Sequence, residues 1–308
     1  MSTQYDDVFR TLANDCPDLL VPLINEVFGE NYPEEAEIRF YPNEHFINQK
    51  DGKTQERITD TCFELSADTT KKYHLECQST PDSSILIRMF EYDTQIALDD
   101  CIVKENVLTV DFPNSAILYL RCTKNTPDKI HVTIRTPSGQ LSYEIAVVKI
   151  QNYPLEKIFQ KKLLFLIPFY IFTHENNFKI YNENETQMHL ILTEYQLIRN
   201  KLEEFALSGV INEYIKCTLM EMCGKVIEYL AKDYTHVQEG VKSIMVGKVL
   251  DYEAKDILNK GVSQGFSRGI EKGKLDICLE LLHDGLLSYS EAAKRLQISE
   301  NELREMMK

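Results

Sequence analysis

Positive charge is what this chain is short of. Lys and Arg together number 34 against 48 Asp and Glu, a formal net charge of −14 over 308 residues. That deficit argues against broad, nonspecific binding of a polyanion, because phosphate contacts need clustered cations. A local basic groove stays compatible with it, but any nucleic-acid affinity must then rest on a few placed cations or on a bound metal. Long apolar runs are missing too. The most hydrophobic stretch, Leu163 to Phe172, is too short to span a bilayer and contains Pro168. It reads as a buried helix-turn segment, and no membrane partner is expected. The start, MSTQYDDVFR, has no basic stretch followed by an apolar one, so no signal peptide is expected and the cytoplasm is the expected compartment.

Several catalytic signatures are absent as well. The eight cysteines stand at 16, 62, 77, 101, 122, 217, 223 and 278, with no CxxC pair and no histidine at zinc spacing. They read as reduced and mostly buried small hydrophobes. No GxxxxGK[ST] and no HExxH occurs, and no Ser-His-Asp or Cys-His arrangement is recognisable. The hydrophobic fraction of 43% and charged fraction of 27% are those of a globular protein of one to two domains.

What is present reads in order as follows. Apolar residues from Val8 to Phe28 recur at i, i+3 and i+4, predicting one helix or two broken near Asn14 to Pro17, with Gly29 as the stop. Glu37 to Tyr41 alternates like a short strand, and a polar loop follows through Lys53. A helix is predicted from Ile85 to Val103. Strands are predicted over Ser115 to Arg121, Lys129 to Arg135 and Leu141 to Ile150, punctuated by turns at Asn125 to Asp128 and Pro137 to Gly139. This order describes an α/β or α+β domain ending near residue 155. Helical patterns fill residues 156–260, over Leu190 to Phe205, Val210 to Tyr229 and His236 to Leu258. In residues 261–308, Gly261, Gly265, Gly269 and Gly273 recur every four positions before a short helix pair. There Ser299 and Glu302 have capping-box spacing. Docking or self-association through these helices, giving a homo-oligomer, is weighed above base readout.

The stretch from Arg57 to Ser79 carries the chemistry. Two runs rich in Thr, Phe, Tyr, Leu and Cys flank the polar segment Ser66 to Thr70, the pattern of a β-hairpin. With the turn centred near Asp68, Asp60 falls opposite Glu76, and opposed Cβ atoms lie roughly 4.5–5.5 Å apart. Gln78 and His74 share the face of Glu76, while Tyr73, Leu75 and Cys77 point into a core. Two acids so placed repel each other unless a proton or a cation joins them, and Mg²⁺ suits oxygen ligands. An ordinary hairpin with solvated acids is the competing account. On the helix that follows, Arg88 and Tyr92 are one turn apart, with Gln95 one turn further.

With these residues the chain resembles the PD-(D/E)XK nuclease superfamily, and within it the recombination-promoting nuclease/putative transposase family. Arg57 to Asp60 followed by Glu76-Cys77-Gln78 is the most specific part. Asp6 to Phe9, Arg88 with Tyr92, Leu166 to Phe169 followed by Glu175, and the Gly-spaced tail are similar as well. The resemblance implies a restriction-endonuclease-like mixed sheet flanked by helices in residues 1–155, with a helical accessory region and a tail beyond. It implies a metal-dependent DNA endonuclease linked to recombination or a mobile element, with Asp60 and Glu76 as ligands of Mg²⁺ (or Mn²⁺). The carbonyl of Cys77 is a further candidate ligand, and Arg88, Tyr92 and Gln95 are candidate DNA contacts. Where such nucleases usually carry Lys, this chain has Gln78, which can orient a water but neither carries charge nor takes a proton. Lys71 or Lys72 is then a candidate for a relocated cation. The alternative is a catalytically weak or inactive nuclease-fold protein that recruits protein partners, which Gln78 and the net charge favour.

Overall fold

In the computed structural model the described residues are 4–41, 44–48, 54–58, 61–67, 69–80, 84–246, 288 and 291–293. The chain opens with α1 (Gln4–Asp15), a 3₁₀ turn at Pro17–Leu19 and α2 (Leu20–Phe28), so the predicted break falls at Cys16 and Pro17. Gly29, at φ 68°, ends α2 in the left-handed conformation that costs glycine least. Strands β1 (Glu37–Phe40), β2 (Glu44–Asn48), β3 (Thr54–Ile58), β4 (Thr61–Ser66) and β5 (Thr70–Gln78) follow. Then come α3 (Ser84–Asp99), β6 (Ile102–Lys104), β7 (Val107–Thr109), β8 (Asn114–Tyr119), β9 (Lys129–Thr136) and β10 (Gly139–Lys149).

These elements make an α/β fold around a six-stranded mixed sheet in the order β1-β4-β5-β8-β10-β9. The pairs β1/β4, β4/β5 and β10/β9 are antiparallel, whereas β5/β8 and β8/β10 are parallel. A parallel pair needs a crossover, and α3 lies in the one that joins β5 to β8. The central strands are buried on both faces, which is why Leu75, Cys77 and the run Ser115 to Tyr119 read as nearly continuous apolar stretches. On one face α3 presents Ile85 and Met89 to Ile117, Tyr119 and Ile145. On the other, Tyr73 meets Phe28 of α2 at 5.2 Å between ring centroids, and its hydroxyl lies 3.0 Å from that of Tyr32.

Two departures from the sequence expectation stand out. The polar stretch after β1, read as a loop through Lys53, contains strand β2, which pairs with β3 just beyond it. The helix predicted to run to Val103 stops at Asp99, and Ile102 to Thr109 forms a separate hairpin of β6 and β7. Glu105 and Asn106 both have positive φ, 48° and 65°, as a tight hairpin turn of the primed type requires. The β-branched residues Ile102, Val103 and Val107 suit strands better than a helix end.

Beyond the sheet, α4 (Leu155–Gln160) leads into a 3₁₀ segment at Leu164–Thr173, every residue of which from Leu164 to Phe172 is buried. There follow α5 (Phe178–Glu183), α6 (Glu185–Leu207), α7 (Glu213–Leu230) and α8 (Thr235–Met245). Residues Met1–Lys248 form one compact unit, with Val249–Lys308 as a second. No break accompanies residue 155, because α1 joins the two halves. Its Phe9 stacks edge-on against Phe165 at 5.0 Å and its Tyr5 against Phe172 at 4.9 Å. No helix among the described residues is long and apolar enough to cross a membrane. In the second unit, Ser288 and Glu291 exchange hydrogen bonds as a capping box at the start of the helical turn 291–293. The glycine-spaced stretch, Ser299 and Glu302 lie outside the described residues.

Candidate functional site

Strands β4 and β5 pair from Ser66↔Thr70 to Thr61↔Leu75, so the turn is centred where the sequence put it. Asp60 lies outside the described residues. Glu76 sits near the carboxyl end of β5, opposite Ile117 of the parallel strand β8. The solvated outer face considered for this acid does not exist, because α3 covers it and Glu76 is 2% exposed.

Burying an ionised carboxylate is costly unless it is paired and hydrogen-bonded. One partner is on the same strand face. His74 Nε2 lies 3.2 Å from Glu76 Oε1, and His74 Nδ1 lies 2.7 Å from Asp93 Oδ1 on α3. Asp93 also accepts a hydrogen bond from Ser115 Oγ at 2.7 Å, and the Tyr143 hydroxyl lies 3.4 Å from its Oδ2. His74 and Asp93 are fully buried. Burial alone would pull the imidazole pKa down, but the hydrogen bonds to Asp93 and Glu76 and their charges outweigh it and hold it up at about 9. At neutral pH His74 is therefore an imidazolium between two carboxylates. The same neighbourhood, with burial as the larger cause, raises the Tyr143 phenol.

Lys71 is held by Glu30 at 2.6 Å and Lys72 by Asp100 at 2.5 Å, both in the opening half of β5. The positive charge beside Glu76 is His74, which the sequence reading treated only as a neighbour. Asp93 was not singled out at all. Its signal was an acid at i+4 and i+8 within the apolar stripe Met89 and Ile85.

The other predicted residues take different surroundings. Gln78 is half-buried opposite Tyr119, and its backbone carbonyl accepts from Leu120 N at 2.9 Å. Cys77 is buried on the opposite strand face, opposite Leu118. Arg88 is half-buried, and its Nε, shielded from solvent, has no hydrogen-bond partner among the described residues. Tyr92, 3% exposed, lays its ring edge-on to His74 at 5.9 Å, so it packs into the site. Gln95 is tied to Asp99 by a 3.0 Å hydrogen bond.

As donors toward a metal, the Glu76 carboxylate and a neighbouring backbone carbonyl are oxygens of the kind Mg²⁺ takes. The described residues fit such an ion in type. Among them no group of three or more His, Cys, Asp or Glu side chains converges to hold one. Asp93, His74 and Glu76 form a chain, not a cage. Compared with protein-family models, curated proteins and solved structures, the sequence and its fold match none.

Proposed function

We propose that the chain is a Mg²⁺-dependent (or Mn²⁺-dependent) DNA endonuclease of the PD-(D/E)XK type, with a restriction-endonuclease-like core and a role in recombination or a mobile genetic element. The observation that carries this reading is Glu76. It is a buried acid near the carboxyl end of a central parallel strand, with Gln78 two residues on and a crossover helix alongside. In open α/β sheets ligands bind outside the carboxyl ends of the strands. Asp60, Glu76 and the Cys77 carbonyl would hold the ion, which when bound supplies a Lewis acid and an activated water. Gln78 orients a water through its amide. Arg88 supplies a cation whose Nε is not spent on another described residue, suited to a phosphate. Gln95, on the same helix, extends that contact. The resemblance of Arg57 to Asp60 and Glu76-Cys77-Gln78 to the motif of the recombination-promoting nuclease/putative transposase family supports the DNA substrate.

A second reading, a weak or inactive nuclease fold that recruits proteins, is favoured by the β6–β7 hairpin. Its Ile102, Val103, Val107 and Leu108 are 61%, 71%, 60% and 54% exposed. Supercoiled plasmid incubated with the purified chain and Mg²⁺ or Mn²⁺ separates the two. The expected result is nicking that falls at least about a hundredfold in Asp60→Ala and in Glu76→Ala, since each removes a metal ligand. Nicking that survives both substitutions rejects the site. No nicking and no metal binding by the parent chain favours the recruiting protein.

A further inference from the structure

We infer that Asp93 and His74 are positioning residues that fix the carboxylate of Glu76 for the ion, an inference that rests on the nuclease reading. Four observations meet here. First, the imidazole is hydrogen-bonded at both nitrogens, to Asp93 at 2.7 Å and to Glu76 at 3.2 Å, so neither its ring plane nor its tilt is free. Second, Tyr92 closes one edge of the ring at 5.9 Å and 76°, which removes the remaining freedom to swing. Third, Asp93 is itself anchored from a different strand, by Ser115 on β8 at 2.7 Å. Fourth, His74, Asp93 and Ser115 are all buried, so water does not compete for these bonds.

The chain therefore passes from β8 through the crossover helix to β5 and ends on one oxygen of Glu76. Residues that orient a metal-binding side chain in this way fix its geometry, although they never touch the ion. The arrangement also explains a polar chain where α3 otherwise packs Ile85 and Met89 on the sheet. An apolar set of similar volume would fill that space at less cost in desolvation.

The test uses the full chain and Mn²⁺ alone, titrated by calorimetry, with plasmid nicking measured beside it. His74→Leu removes both hydrogen bonds, His74→Gln keeps a side-chain donor, Asp93→Asn keeps the shape without the charge, and Glu76→Gln serves as the reference. The expected result is a Mn²⁺ affinity about ten- to a hundredfold lower in His74→Leu, partly restored in His74→Gln. In nicking, kcat falls while KM for plasmid stays within about twofold, because the DNA contacts lie elsewhere. If His74→Leu does not fold, a folded Asp93→Asn carries the same expectation with a smaller loss. Unchanged or tighter Mn²⁺ binding in the folded variants, with binding lost in Glu76→Gln, overturns the positioning role and leaves the nuclease reading standing. Parent-like Mn²⁺ binding in Glu76→Gln overturns both.

Discussion

Single side chains in this protein are governed by what faces them across elements. Glu194 on α6 is an example. His174 Nε2 lies 3.0 Å from its Oε2, and the Tyr170 hydroxyl donates to the same oxygen at 2.9 Å. The His174 hydrogen bond, against the opposing effect of burial, holds the Glu194 carboxyl below its usual range. A carboxyl depressed in the folded state contributes stability that is present above its unfolded pKa, about 4.3. That contribution is lost as pH falls through the lower, folded value. Glu194→Gln is expected to flatten the acid limb of the melting-temperature profile below about pH 4.5. The side chain is 37% exposed, so the loss at neutral pH should stay under about 1 kcal/mol. A parent-like acid limb in the variant would show that the contact contributes nothing. The same scale explains why the sequence placed His74 only as a neighbour of Glu76 and did not single out Asp93. A histidine two residues from an acid, or an acid in a helix, acquires its meaning only from the partner, and their partners are 19 residues apart in sequence.

At the scale of elements, local signals were legible wherever a cap or a turn residue accompanied the periodicity. The α1–α2 break, the Gly29 stop, the β4–β5 hairpin and the three later strands all follow from such signals. The β6–β7 hairpin did not, because Ile102 and Val103 extend the apolar pattern of α3 and the pattern alone does not end it. Helix α7 shows the local logic at work in a buried element. Asn212 stands at its N-cap, and the side chain accepts a hydrogen bond from Ile215 N at 2.8 Å. Since α7 packs against both α1 and the 3₁₀ segment, fraying there reaches the core. Asn212→Ala should therefore lower stability by about 1 kcal/mol, read as a lower urea midpoint with unchanged slope. Asn212→Gly should cost only a few tenths.

For the first unit as a whole, the sheet and the helices after residue 155 are tied by long-range pairs. Arg121, just past β8, forms a fork with Glu175: Nε to Oε2 at 2.6 Å and a second guanidinium nitrogen to Oε1 at 2.6 Å. Its guanidinium also lies 4.9 Å from the Phe172 ring centroid. Two planar bonds and a ring contact are geometry that lysine does not reproduce. Arg121→Met should cost about 1–2 kcal/mol, since the pair is about one-third exposed, and Arg121→Lys should recover less than half of it. Denaturation followed by both fluorescence and circular dichroism should give one coincident transition in the parent chain. Two separated transitions would mean that the halves unfold independently.

By itself the sequence determined the local elements and the type of the candidate ligands. Strand alternation, helix periodicity and caps act over a few residues, and the Glu-x-Gln spacing places Glu76 and Gln78 on one strand face whatever lies around them. Tertiary structure decided the rest. It placed α3 over that face, buried Glu76 and set His74 against it. It also gave Glu175 a partner in Arg121. Burial and long-range pairing depend on which surfaces meet, and that is settled by the packing of elements far apart in the chain.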